Sequence, residues 1–153
     1  MKITAILNHE CIISELKSAT KKEVLAELSA IFTRGSSNYD QESMVNALME
    51  REKMGSTGIG DGIAIPHGKI CGADELLLSF GRSKKGVHFD AVDGKPVHLF
   101  FLLMAPEDSP SQHLKLLAKI SRMLKDAAFR KRLMEAESQA DLYSLIAEKD
   151  DLV

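Results

Sequence analysis

Apolar side chains return every three or four residues from Val24 through Leu25, Leu28 and Ile31 to Phe32, the spacing of one helix face. Thr20 and Glu23 stand just ahead of them with the spacing of a capping box, and Gly35 is suited to stop the helix behind them. Asp40 is placed to cap a second helix, whose apolar face is Met44, Val45, Leu48 and Met49 and which runs into Arg51. Strand-like patterns flank this pair. A short apolar start at 3–7 precedes Cys11-Ile12-Ile13, a candidate first strand. Ile63-Ala64-Ile65 and the segment from Glu75 to Phe80 are further short apolar runs. Residues 97–104 are nearly all apolar, as a central strand covered on both faces would be. Asp93-Gly94 reads as a tight turn joining Phe89-Asp90-Ala91 to that strand.

The last third is helical again. Ser109, Pro110 and Gln112 predict a capped helix start, with Leu114, Leu117, Ala118, Ser121 and Leu124 as its buried stripe. Asp126 opens another helix with Phe129 and Leu133 facing inward, and Ser138 with Asp141 caps a last one carrying Leu142, Leu145 and Ile146. The order is strand, two helices, several strands, three helices. It predicts an α/β fold with helices on both faces of a sheet.

Length and charge narrow the classes. The 153 residues suffice for one domain with a substantial core, taken here as 1–153. A net charge of −2 without a basic block argues against nucleic acid as a partner. The longest apolar run, from Leu99 to Ala105, is far short of the roughly 18–20 residues of a membrane span. No charged-then-apolar export signal opens the chain. Cys11 and Cys71 match no metal or redox spacing and read as reduced thiols of a cytoplasmic protein.

Chemistry concentrates in the stretch GSTGIGDGIAIPHG. Glycines at 55, 58, 60, 62 and 68 can turn successive backbone N–H groups toward one anion, and the stretch ends on Pro66-His67. An imidazole is a nucleophile near neutral pH. No Walker loop is present, and the dinucleotide fingerprint fails because position 63 is Ile. The anion expected at such a cradle is therefore a phosphoryl group carried by protein. Arg51 offers a guanidinium for it, although beside Glu50 and Glu52 it reads more readily as a solvated arginine. His113, in the first turn of a helix whose dipole disfavours its protonation, reads equally as a surface histidine. His9 and His88 have no motif around them, and His98 reads as a sheet histidine. Glu107 and Asp108 read as a solvated turn. A metal site built from His67, His98 and His113 lacks ligand spacing, so no metal is expected.

Residues 51–69, REKMGSTGIGDGIAIPHGK, resemble the active-site signature of enzyme IIA domains of the phosphoenolpyruvate:sugar phosphotransferase system. The resemblance is to the mannitol/fructose class and, within it, to the nitrogen-regulatory IIA proteins. It implies a three-layer α/β/α sandwich around a mixed sheet of about four to five strands. It implies a phosphohistidine carrier rather than a stand-alone enzyme, with no cofactor. His67 would be phosphorylated at Nε2, with Nδ1 oriented by a backbone carbonyl. Arg51 and His113 would be its active-site partners, and Ser56, Thr57, Gly58, Gly60 and Gly62 would surround the phosphoryl oxygens. The donor would be an HPr-like phosphocarrier protein. The acceptor would be a set of regulatory target proteins or, in the sugar-specific alternative, a IIB domain. A chain ending at 153 without a fused transporter or second carrier domain favours the regulatory branch.

Overall fold

The structure is a computed structural model and describes residues 2–34 and 39–153, so Gly35, the expected helix stop, lies outside the described residues. The chain forms β1 (Ile12–Ile13), α1 (Lys21–Ala30), α2 (Gln41–Lys53), β2 (Gly58–Gly60), β3 (Ile63–Ala64), β4 (His67–Ile70) and β5 (Leu77–Val87). It continues with β6 (Val97–Pro106), α3 (Pro110–Leu124), α4 (Ala127–Glu135) and α5 (Gln139–Leu152).

Everything is arranged around β6. One edge pairs antiparallel with β5, which in turn pairs parallel with β1. The other edge is shared by two short parallel strands: β3 lies opposite Leu99 and Phe100, and β4 opposite Leu103 to Pro106. An antiparallel hairpin adds β2 outside β3, giving a mixed sheet of six strands rather than four to five. The additional strands are the glycine-bearing β2 and β4, whose sequences GIG and HGKI show no run of apolar residues.

Alternate β6 side chains feed two cores. Leu99, Phe101 and Leu103 pack with Leu116, Ile120, Phe129, Leu142 and Ile146 of the C-terminal helices. Phe100, Leu102 and Met104 pack with Val24, Leu25, Leu28, Met44 and Leu48 of α1 and α2. A strand buried on both faces is apolar at nearly every position, which is why 97–104 reads as it does, with half-buried His98 the exception. Truncating one of its phenylalanines to alanine is the kind of change that costs about 3–5 kcal/mol.

Four expected caps form. Thr20, Asp40, Asp126 and Ser138 each accept backbone N–H groups at the start of α1, α2, α4 and α5. The fifth does not: Pro110 opens α3 as expected, but the Ser109 hydroxyl makes no capping bond. The stripe of α3 is also corrected. Leu114 is 66% exposed, and the inward face is His113, Leu116, Ile120, Met123 and Leu124. Both stripes look apolar in sequence, but the one formed replaces Ala118 and Ser121 with Ile120 and Met123 and so removes more apolar area from water. That rotation turns His113 inward. β5 runs on to Val87, past the expected end at Phe80, so Phe89-Asp90-Ala91 lies beyond it. The turn at Asp93-Gly94 is present, closed by the Gly94 N–H on the Ala91 carbonyl at 2.9 Å, with Gly94 at φ 71°.

Candidate functional site

His67 opens β4, and the two residues before it determine how its ring is held. The Pro66 carbonyl accepts the Leu103 N–H at 2.9 Å, docking the chain onto β6. The Ile65 N–H donates to the Thr57 carbonyl at 3.1 Å, and the Ile65 carbonyl lies 2.9 Å from His67 Nδ1. A carbonyl can only accept, so Nδ1 carries the proton. On the other side of the ring, Arg51 Nε donates to His67 Nε2 at 3.3 Å. A guanidinium can only donate, so Nε2 presents a lone pair. The two contacts agree on one tautomer. Arg51, in the last turn of α2, also donates from Nη1 to the Gly55 carbonyl at 2.9 Å.

His113 meets His67 edge-on from the first turn of α3, with ring centroids 5.3 Å apart and an interplanar angle of 89°. Burial holds the His67 ring below its ordinary pKa, with help from the Arg51 cation; the Ile65 contact and Glu52 pull the other way. Burial likewise holds His113 down, followed by His67 and Lys69. Both rings are thus kept neutral at neutral pH. For His113 burial is the largest of these causes.

A cavity of about 640 Å³ opens against the two imidazoles. Ala47, Met54, Leu114 and Leu117 give it apolar walls, while Arg51, Lys53 and Lys69 supply cationic groups. Glu50 also lines it, but the three cations outnumber it, and the net charge favours an anion at the ring nitrogen.

The expected cradle residues occupy a neighbouring segment, and none of the five lines this cavity. Ser56 donates to the Phe89 carbonyl at 2.9 Å and accepts the Gly58 N–H at 3.0 Å. Thr57 gives its N–H, at 3.1 Å, and its hydroxyl to Glu52. Gly60 and Gly62, at φ 97° and 76°, flank Asp61, at φ 57°, in the β2–β3 turn. The Gly62 carbonyl accepts from His98 and Leu99, whereas His67 registers with Leu103. Four residues of strand, about 13 Å, separate the two positions. His98 bonds the Ser83 carbonyl at 2.8 Å as a sheet histidine, and His9 stacks on Tyr143.

Glu52 is the residue that pattern reading passed over. It looks like one charge of an exposed Arg-Glu-Lys run, yet it is buried. An acidic residue in the last turn of a helix opposes the dipole, and that was the available signal.

Residues 5–149 match the profile of the phosphoenolpyruvate-dependent sugar phosphotransferase system EIIA 2 family. The chain belongs to this family. The EIIA chain is 37% identical over 147 residues to a nitrogen regulatory protein of Bradyrhizobium diazoefficiens, a match covering 96% of this chain and 95% of that protein. It is also 37% identical over 150 residues to the fructose-specific EIIABC component of Bacillus subtilis. That match covers 98% of this chain but only 24% of the longer protein. The crystal structure of the nitrogen regulatory protein IIA-Ntr from Neisseria meningitidis resembles it with a TM-score of 0.87 at 35% identity, over 94% of this chain and 98% of that one. Nitrogen-regulatory and fructose-specific EIIA proteins are therefore both its relatives. Among the described residues no helix is long and apolar enough to cross a membrane.

Proposed function

We propose that this EIIA chain accepts a phosphoryl group on Nε2 of His67 from an HPr-like phosphocarrier protein in the cytoplasm, and that it acts as a nitrogen-regulatory IIA by binding target proteins according to its phosphorylation state. The observation that carries this reading is the ring's fixed tautomer: the Nδ1 proton is tied to the Ile65 carbonyl and the Nε2 lone pair faces Arg51. The lone pair attacks phosphorus in line as the P–N bond to the donor imidazole breaks and its electron pair returns to the donor ring. No proton has to leave Nε2. The positive charge that develops on the His67 ring is shared with Nδ1–H, where the Ile65 carbonyl receives it. Arg51 exchanges its contact with Nε2 for the phosphoryl oxygens, where a planar fork suits two oxygens at once. His113 closes the other side of the ring and keeps water away. Ser56, Thr57, Gly58, Gly60 and Gly62 lie beside the cavity rather than in it, and the Thr57 and Gly58 N–H groups are already held by Glu52 and the Ser56 hydroxyl, so this segment reaches the outer oxygens only by giving up those bonds.

The likeness to a fructose-specific component favours a second reading, in which the group passes to a IIB domain for sugar uptake. Transfer to the IIB domain encoded nearest to this chain's gene, if rapid, supports that reading over the regulatory one. For the acceptor itself, incubation with phosphoenolpyruvate, enzyme I and an HPr-type carrier is expected to raise the intact mass by one acid-labile, base-stable phosphate. His67→Ala abolishes the increase; continued labelling of that variant refutes the assignment.

A further inference from the structure

Glu52 follows Arg51 directly on α2 but engages a different set of partners. Its Oε1 accepts the Thr57 N–H at 3.1 Å and the Lys21 ammonium at 3.0 Å, while Oε2 accepts the Thr57 hydroxyl. The side chain is 3% exposed, so the carboxylate has exchanged water for these donors. Lys21 is held in turn by Asp90 at 3.5 Å and by the Phe89 ring at 4.7 Å, which fixes the far side of the clamp. Thr57 passes the constraint on. Its carbonyl accepts the Ile65 N–H, and the Ile65 carbonyl is the group that holds the His67 Nδ1 proton. Two consecutive residues of one helix therefore reach both sides of the imidazole. Arg51 touches Nε2 directly, and Glu52 reaches the Nδ1 side through Thr57 and Ile65.

We infer that Glu52, gripping Thr57, is a positioning residue that holds the Ile65 carbonyl against His67 and thereby decides which ring nitrogen is left free to react. The inference rests on the reading of His67 as the phosphoryl acceptor. A carboxylate with a merely structural role would lower stability when replaced but would leave the tautomer of a folded molecule alone. Glu52→Gln keeps the size and one acceptor but cannot accept from all three donors at once.

The test uses the full chain labelled with ¹⁵N at histidine. Long-range ¹H–¹⁵N spectra separate Nδ1–H from Nε2–H rings without any partner protein. The parent His67 is expected to be mainly Nδ1–H. In Glu52→Gln the Nε2–H fraction rises severalfold, and the phosphotransfer rate falls on the order of tenfold, the scale of a small misplacement of a reacting group. Thr57→Val, which removes the hydroxyl without shortening the side chain, moves the spectrum the same way, and Thr57→Ser keeps the parent spectrum. An unchanged His67 tautomer in folded Glu52→Gln overturns the inference; if that variant does not fold, the same result in Thr57→Val does so. Because the spectra need no phosphoryl donor, failure of the parent to accept phosphate refutes the acceptor reading alone, while the tautomers still decide the role of Glu52.

Discussion

Glu52 and Asp150 are both nearly closed to water, at 8% and 1% exposure, and each gathers the same kinds of donor. Glu52 takes a backbone N–H and a hydroxyl from Thr57, plus Lys21. Asp150 takes the N–H groups of Ile3 and Thr4, the Thr4 hydroxyl, and Lys119. The chemistry is nearly identical, and the difference lies in what each clamp holds. Asp150 ties the start of the chain to α5 and α3, elements that meet no reacting atom at that point. Glu52 ties down a segment two hydrogen bonds away from an imidazole nitrogen. A buried acid therefore has no fixed meaning, and the chain of contacts leading away from it assigns its task.

The comparison breaks most visibly at Asp150. Asp150→Ala removes the acceptor of the Ile3 and Thr4 N–H groups and one partner of the buried ion pair with Lys119, and is expected to cost about 3–5 kcal/mol of stability. Urea melts read that loss, while phosphotransfer per folded molecule stays at the parent rate. A transfer defect in the folded fraction would show that the Asp150 clamp also serves the site. Arg51→Ala is the opposite case. Transfer is expected to slow by about 10²–10³, the effect of removing one transition-state donor, with the melt little changed. Arg51→Lys should recover only part of the rate, because an ammonium lacks the planar fork. Rapid-quench transfer assays measure both. The same substitution removes a cation that holds the His67 pKa down, so the ring should titrate higher.

Much of this corner can be read without coordinates. Pro66-His67 after a glycine-rich run points to the proposed nucleophile, and four helix starts follow from Thr20, Asp40, Asp126 and Ser138 because a cap is a local interaction between residues three apart. The strand beginning at His67 is not legible, since HGKI forms it only through parallel pairing with residues 103–106 of β6. The inward turn of His113 depends on which of two apolar stripes buries more area, a tertiary choice that periodicity leaves open. Glu52 is hidden for the same reason: its burial comes from Lys21 and Thr57, which reach it from other segments.

The smallest expected effect separates the two regions by pH. His67 and His113 have lowered pKa values in the folded state, so the unfolded chain takes up protons that the folded one refuses. Their contribution to stability is complete above about 6.5, the unfolded value, and declines as pH falls below it. For Asp150, burial pushes the carboxyl upward, but Lys119 and the N–H groups of Ile3 and Thr4 outweigh it, and the net shift is downward. Its contribution is present above about 3.9 and is lost only as pH falls through the lowered folded value. Denaturant midpoints recorded from pH 8 to 3 should therefore show a shallow histidine-dependent decline first and the Asp150 loss last. In Asp150→Ala the late loss shrinks to what Asp40 and Asp126 contribute, whose carboxyls are also held down, chiefly by Ser43 and Lys149, while the early one remains.

Arg51 holds His67 with one nitrogen and the Gly55 carbonyl with another. Gly55 directly follows Met54, a side chain left 79% exposed on the rim of the cavity. Whatever occupies the imidazole must share the guanidinium with that stretch of surface. Under the proposed function, a phosphoryl group on the imidazole nitrogen would compete for the guanidinium that holds the Gly55 carbonyl, and so would bear on the exposed surface at Met54.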